Sequence, residues 1–400
     1  MANILQQIGA VAAMNVRTIP QRLGVSMVIV AGIAGVVGVL VAMLAMAAGF
    51  ERTLASTGRY DRAIVLRVGS IDELGSSMGV EQARLIGDVP GVRRGADGAP
   101  VALPEVYVLT NISKKGDATK APSNAVVRGT SPSVFAVRPE AKIVEGRMFE
   151  PGKREVVVGR AARAEYADLE IGQSVEVRDG PWTIVGVFDS GGDVHESELW
   201  VDAAALHDAT RAQYYSSVIV QLEDDRAETF AAFQDRMTTD PRLRTKPQRE
   251  PEYYASRSEG LKNFITAIGY TVAVIMAIGA VFGALNTMYA AVATRSVEIA
   301  TLRAIGFGGG PVVCSIMIEA LLLSLVGAAI GAAIAYVVFN GFQVSGLNFQ
   351  TFSQVAFQFA VTPELVLQGV VWAIAIGFLG GLLPAVRAAR QPVVDALRAA

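Results

Sequence analysis

The sequence predicts a membrane protein of four transmembrane α-helices with a large α+β domain inserted between the first and the second. Three observations predict it. Apolar runs occupy 26–50, 263–290, 312–339 and 364–384, each near or above the roughly 20 residues a helix needs to cross a bilayer. Lipid offers the backbone no hydrogen-bond partner, so each run closes its bonds internally as helix. Composition agrees: 52% of residues are hydrophobic and 18% charged, against about a quarter charged in soluble domains. The stretch 51–262, between the first two runs, is polar and long enough to fold around a core of its own.

Each segment has its own justification. In 1–25, Ile4, Leu5, Ile8, Val11 and Ala12 recur near helical spacing, which suggests a helix lying in the cytoplasmic interface; an unstructured leader is the alternative. Ala45-Met46-Ala47 has the form of a signal-peptide cleavage site, but the run 26–50 exceeds a hydrophobic region of about 7–15 residues and reads as a membrane span. Within 51–262, alternating β-branched stretches predict strands at 63–68, 106–110, 125–128, 155–158 and 217–222. Strands 175–178 and 182–188 flank Asp179-Gly180, a hairpin signal. Helices are expected at 160–167, 202–209 and 227–238. The Ser-, Lys-, Gly- and Pro-containing stretch 112–123 reads as a loop, and 252–262 reads as a stalk running on into the second span. The remaining segments are a cytoplasmic connection at 291–311, an outer loop at 340–363 and a cytoplasmic tail at 385–400.

Basic residues in the short connections set the orientation. Arg17 and Arg22 precede the first span, Arg295 and Arg303 lie between the second and third, and Arg387, Arg390 and Arg398 follow the fourth, whereas 340–364 has no Lys or Arg. Both termini are therefore expected in the cytoplasm and 51–262 outside. A net charge of −2 gives no footprint for nucleic acid, and one cysteine, Cys314, permits no disulfide within the chain.

Inside the spans, Gly327-x-x-x-Gly331 and Gly377-x-x-x-Gly381 place small residues four apart, where helix backbones approach closely. They serve either a dimer interface or packing within one chain. Asn286 and Glu319 are polar groups within the spans. An intramembrane carboxylate marks a functional site by default; with no chain of such groups for a proton relay, Glu319 reads better as holding a helix position by bonding to a partner group. The segment Thr294 to Gly306 reads as a short helix with Gly306 as its stop. Ile299, Leu302 and Ile305 make one face, and Arg295, Glu298 and Arg303 make others. Such an element docks into a partner's groove or lies solvated.

Asn286-Thr287-Met288, Arg295, Glu298-Ile299-Ala300, Leu302-Arg303-Ala304-Ile305-Gly306 and Glu319 resemble the signature of FtsX/MacB-type ABC transporter permeases. Gly381-Leu382-Leu383-Pro384-Ala385, Ala388-Ala389-Arg390, Pro392 and Ala396-Leu397-Arg398 resemble that family's C-terminal end. Arg128-Gly129-Thr130, Glu145-Gly146-Arg147-Met148-Phe149, Val157-Val158-Gly159, Ile171-Gly172 and Ile184-Val185-Gly186-Val187 resemble its periplasmic core domain. The turn 307–311 is more glycine-rich than the family's.

The resemblance implies a dimeric permease subunit in the bacterial inner membrane, with the large domain periplasmic, driven by a separate cytoplasmic ATPase that holds ATP and Mg. Arg295, Glu298, Ile299, Leu302, Arg303, Ile305 and Gly306 would be the ATPase-coupling element. Motion of the periplasmic domains would expel substrate from the periplasmic side by mechanotransmission. Implied partners are the ATPase, a second permease copy or paralogue, a periplasmic adaptor and membrane lipid. Two alternatives remain open: a lipoprotein-extracting LolC/LolE-like permease, and an FtsX-like regulator of a cell-wall hydrolase that moves no substrate. A P-loop needs G-x-x-x-x-G-K-[ST]; Gly146 and Gly152 are one residue too far apart for it, and Lys153 is followed by Arg154. No catalytic constellation is expected. His195 and Glu196 beside Asp193 and Glu198 invite a metal reading, but H-E-x-x-H is absent and the stretch reads as a solvated acidic turn.

Overall fold

The computed structural model describes residues 7–9, 11–14, 23–116, 118–119, 121–211, 213–347 and 354–393. Ile4, Leu5, Arg17, Arg22, Arg398 and the end of the tail lie outside the described residues, so the interfacial-helix reading of 1–25 is represented only by helical 7–9 and 11–14.

In chain order the elements are α1 (Leu23–Ala55), β1 (Arg62–Arg67), β2 (Met78–Gly79), α2 (Val80–Gly87), β3 (Ala102–Ser113), β4 (Pro122–Thr130), α3 (Val134–Val137), β5 (Lys142–Gly146), β6 (Glu155–Gly159) and α4 (Arg160–Glu165). There follow β7 (Ser174–Val177), β8 (Gly180–Asp189), a 3₁₀ turn (Val194–Ser197), β9 (Glu198–Asp202), α5 (Ala203–Thr210), β10 (Tyr214–Tyr215), β11 (Ser217–Gln221), α6 (Ala227–Thr239) and β12 (Thr245–Arg249). The chain continues with α7 (Glu250–Thr294), α8 (Ser296–Ala304), α9 (Gly309–Phe339), β13 (Gln343–Leu347), β14 (Gln354–Gln358) and α10 (Pro363–Arg390).

Two units result. The helical unit comprises Met1–Ala48, Asn263–Phe342 and Phe359–Ala400; the sheet unit comprises Gly49–Lys262 and Gln343–Gln358. Among the described residues, α1, α7, α9 and α10 are the helices long and apolar enough to cross a membrane. The helical unit packs through its small residues. A Cβ on Gly327 would meet the Val30 carbonyl at 2.9 Å and Ile33 at 3.0 Å, and one on Gly331 would strike the Ala34 backbone, so α9 lies directly on α1. Gly377 faces Ser324 and Gly381 faces Ala320 and Met317, which joins α10 to α9, while Gly380 faces Ala284 of α7. Lipid supplies no hydrophobic drive between helices, and this close backbone approach supplies dispersion contact instead. The Gly327, Gly331, Gly377 and Gly381 faces are thus spent within the chain.

The main sheet of the sheet unit runs β12-β1-β11-β3-β4-β9-β6-β8-β5, with β7 pairing β8. Neighbours are antiparallel except β4–β9 and β6–β8, which are parallel. One apolar core gathers Val106, Val156, Trp182, Leu199 and Leu206; a second gathers Val65, Val220, Phe233 and Met237 under α6. The reading of 112–123 as a loop is corrected at its ends, where β3 and β4 extend as a ladder to Ser113↔Pro122. The hairpin near Asp179-Gly180 is present with its turn shifted by one residue. Val177 pairs Gly180, and Arg178 takes the left-handed conformation, φ 55°. The connection 340–363 contains the paired strands β13 and β14, which belong to the sheet unit. Phe357 of β14 is buried, edge-on to Phe50 with ring centroids 5.3 Å apart.

Candidate functional site

The first site is α8 and its surroundings in the helical unit. The helix ends at Ala304, and Gly306 follows with φ 102°, a left-handed position that costs glycine nothing. Its faces divide sharply. Arg295 and Ile299 are buried, at 6% and 7% exposure, and Leu302 and Arg303 are half-buried. Arg303 donates to the Gln391 carbonyl at 2.8 Å. Val297, Thr301, Ala304, Ile305 and Gly306 are exposed, as is the Glu298 side chain. The seven residues singled out for coupling therefore do not form one surface: Glu298, Ile305 and Gly306 face outward, Arg295 and Ile299 inward.

The inward group is built around a charge pair. Arg295 Nη1 donates to Glu319 Oε2 at 3.2 Å, and its Nε to Glu298 Oε2 at 3.3 Å. Glu319, on α9, is 8% exposed. Asn286 is exposed on α7. A groove lined by Val11, Met288, Val292, Ile299, Leu302 and Ile316 runs beside the pair.

The second site lies in the sheet unit, where three arginines and five glutamates form a connected network. Arg128, near the C-terminal end of β4 and 1% exposed, donates to Glu198 (2.7 and 2.8 Å), Glu73 (2.7 and 3.2 Å) and Glu105 (2.8 Å). Arg138 donates to Glu105 at 2.7 Å and lies 3.7 Å from Glu250. Arg62 pairs with Glu250 at 2.5 Å and Glu140 at 2.6 Å. Glu250 opens α7, where its charge also suits the helix dipole. Burial works to raise the Glu105 and Glu198 carboxyls, and the facing guanidiniums override it, so both stay below the usual carboxylate range. Glu140 is likewise held low, burial being outweighed by Arg62.

Beside this network runs the segment 190–198. The reading of it as a solvated turn is corrected: Asp193, His195, Glu196 and Glu198 are all buried, at 7%, 1%, 4% and 3% exposure. Other chain segments cover it. Val194 N–H donates to Thr57 Oγ1 at 3.1 Å, and Ala356 N–H of β14 donates to Ser197 Oγ at 2.9 Å. The His195 ring stands edge-on to Tyr254 of α7, centroids 5.7 Å apart, with Nδ1 3.2 Å from Glu198. Burial raises the Asp193 and Glu196 carboxyls. Among the described residues no group of His, Cys, Asp and Glu could hold a metal ion.

The network escaped the reading of single residues. Its one sequence signal was Arg128, a charge directly after Ala125, Val126 and Val127 in a strand; a charge so placed is buried and paired or not tolerated. Its partners, from Glu73 to Glu250, lie too far apart in sequence for any local pattern.

Residues 26–239 match the family model of the MacB-like periplasmic core domain, and residues 270–393 that of the FtsX-like permease C-terminal region. Macrolide export ATP-binding/permease protein MacB 1 of Aeromonas hydrophila is 25% identical over 292 residues, covering 68% of this chain and 43% of that protein. The MacB protein of Chromobacterium violaceum is 26% identical over 294 residues, with the same coverage, 68% and 43%. The chain thus spans less than half the length of these curated relatives. Among solved structures, the periplasmic region of MacB from Actinobacillus actinomycetemcomitans aligns with TM-score 0.36 and 12% identity over 50% of this chain and 93% of that one. The extracellular domain of the noncanonic ABC-type transporter YknZ from Gram-positive bacteria aligns with TM-score 0.34 and 17% identity over 47% and 99%.

Proposed function

We propose that this chain, which belongs to the FtsX/MacB-type ABC transporter permease family, is the membrane subunit of an exporter powered by a separate cytoplasmic ATPase. The observation that carries the reading is the divided surface of α8. Val297, Glu298, Thr301, Ala304 and Ile305 form one outward stripe with apolar members, 38% exposed at Val297 and 69% at Ile305, on a helix whose other face is anchored. An amphipathic helix presenting anchors at such spacing suits a partner's groove. The partner of matching chemistry is the ATPase subunit, with ATP and Mg bound there.

In this reading both termini and α8 are cytoplasmic, and the sheet unit works in the periplasm beyond the inner membrane. The second span and the stalk are one unbroken helix, Glu250–Thr294, about 67 Å long at 1.5 Å per residue. It would carry ATP-driven displacement to the Arg62–Glu250 pair at its start. A second permease copy or paralogue and a periplasmic adaptor would complete the machine. The relatives are named for macrolide export, and an amphipathic compound taken from the periplasmic side is the corresponding cargo here.

The test is purification of the chain from its native membranes in mild detergent. An ABC ATPase subunit is expected to accompany it, and Ile305→Asp to reduce that recovery at least about tenfold, because a charge would be buried in an apolar contact. Recovery of the intact chain with no ATPase would count against the proposal.

A further inference from the structure

The outward stripe of α8 is joined to α7 through a single residue. Arg295 is the one non-helical position between Thr294 and Ser296, with φ −110° and ψ 12°. Its N–H donates to the Val292 carbonyl at 3.1 Å, and its own carbonyl accepts from the Ile299 N–H at 2.9 Å. A one-residue joint of this kind bends easily, since a change in two dihedrals redirects everything beyond it.

The side chain of the same residue opposes that bending. The guanidinium turns away from solvent and spans two elements: Nη1 reaches Glu319 of α9 at 3.2 Å, and Nε reaches Glu298 in the first turn of α8 at 3.3 Å. Removing both charges of the Arg295–Glu319 pair from water is costly, and packed apolar residues would hold helices together at least as well. A pair kept at such a cost, with its acid on an apolar helix and its guanidinium turned from solvent, fits a geometric duty better than a contact with a partner. Buried Ile299 and Val312 lie beside it, so the joint is braced on its apolar side too.

We infer that Arg295 and Glu319 are positioning residues forming a pin across the joint. The pin fixes α8 to α9, so that load on the outward stripe turns α7, α8 and α9 as one body and is not lost as flexing at residue 295. Neither residue touches the partner; Glu298 is the member of the trio left accessible to it. The purpose of the pin rests on α8 being the ATPase-docking element, whereas the pin itself is a property of this chain alone.

The experiment uses the full chain in detergent and reads hydrogen exchange of the α8 amides. Glu319→Gln alone removes one of the carboxylates that the buried guanidinium faces and risks misfolding, so the informative variant is the apolar double, R295M/E319L, which removes both charges of the pair together. Protection of the Ser296–Ala304 amides is expected to fall about tenfold, with the α9 amides unchanged. Wild-type protection of α8 in R295M/E319L would overturn the pin. In complex with the ATPase, the same double variant should co-purify at the wild-type level while ATP hydrolysis no longer moves α7. Loss of co-purification would place these residues in the docking surface and overturn the assignment. Absence of any ATPase from the wild-type preparation would remove the docking reading alone, and the exchange result would still decide on the pin.

Discussion

Glu198 accepts from Arg128, and Trp200 Nε1–H donates to it at 2.9 Å. Trp200 and Trp182 are fully buried in the sheet unit, so with the third tryptophan, Trp372 of α10, replaced by Phe, their fluorescence reports on its folding. Removing one partner of such a buried charge network leaves the others uncompensated, so Arg128→Met should destabilise the sheet unit by about 3–5 kcal/mol in denaturant unfolding followed by tryptophan emission. The pH response follows from the carboxyl shifts. Glu105, Glu140 and Glu198 are held below their ordinary values; the stability they contribute is present above the unfolded carboxylate pKa, about 4.3, and is lost as pH falls below it. Asp193 and Glu196 are shifted upward and act in the opposite sense, contributing below their unfolded values and losing that as pH rises. The unfolding midpoint should therefore drop on acidification below about pH 4.5. Glu198→Gln should flatten that drop, and Asp193→Asn should cost nothing at pH 7. A steep acid limb retained in Glu198→Gln would refute the assignment of the network as its source. At this scale the sequence showed that Arg128 sits in a strand; it could not show which five carboxylates converge on three arginines.

At the scale of the element, the helices of the helical unit were legible because their signal is local. Length, apolarity and the small-residue spacing at Gly327, Gly331, Gly377 and Gly381 can all be read along one segment. What each glycine faces is not local. Gly331 lies on the Ala34 backbone and Gly377 on Ser324, whereas Gly279 and Gly310 face open space. Gly331→Val should therefore force α9 off α1 and lower the thermal midpoint in detergent by an overpacking cost of roughly 1–3 kcal/mol, while Gly279→Ala changes it little. Equal behaviour of the two variants would show that α9 does not rest on α1 there. The division of α8 follows the same rule. Its helical period was readable, but which side turned inward depended on Glu319 and Ile316, which follow later in the chain, on α9.

The whole molecule is assembled from non-contiguous stretches. The sheet unit takes β13 and β14 from the chain between the third and fourth apolar helices, and Phe357 of β14 is buried against Phe50. Phe357→Ala should thus weaken the sheet unit by about 3–5 kcal/mol, read by emission from Trp182 and Trp200, although the substitution lies far from either in sequence. An unchanged unfolding curve would detach the hairpin from that unit. Orientation is tested at the same scale: with Cys314 replaced, a cysteine at Asp179 should react with a membrane-impermeant reagent added from outside, and one at Arg303 should not. The sequence by itself determined the family and the places of four helices long and apolar enough to cross a membrane. Each of these is carried by composition and periodicity along a continuous segment, or by ordered motifs. Only the tertiary structure decided that Asp193, His195, Glu196 and Glu198 are buried, that Arg295 turns inward to Glu319, and that β13 and β14 belong to the sheet unit. Burial and ion pairing are properties of surfaces brought together from distant parts of the chain, and no local pattern encodes which surfaces meet.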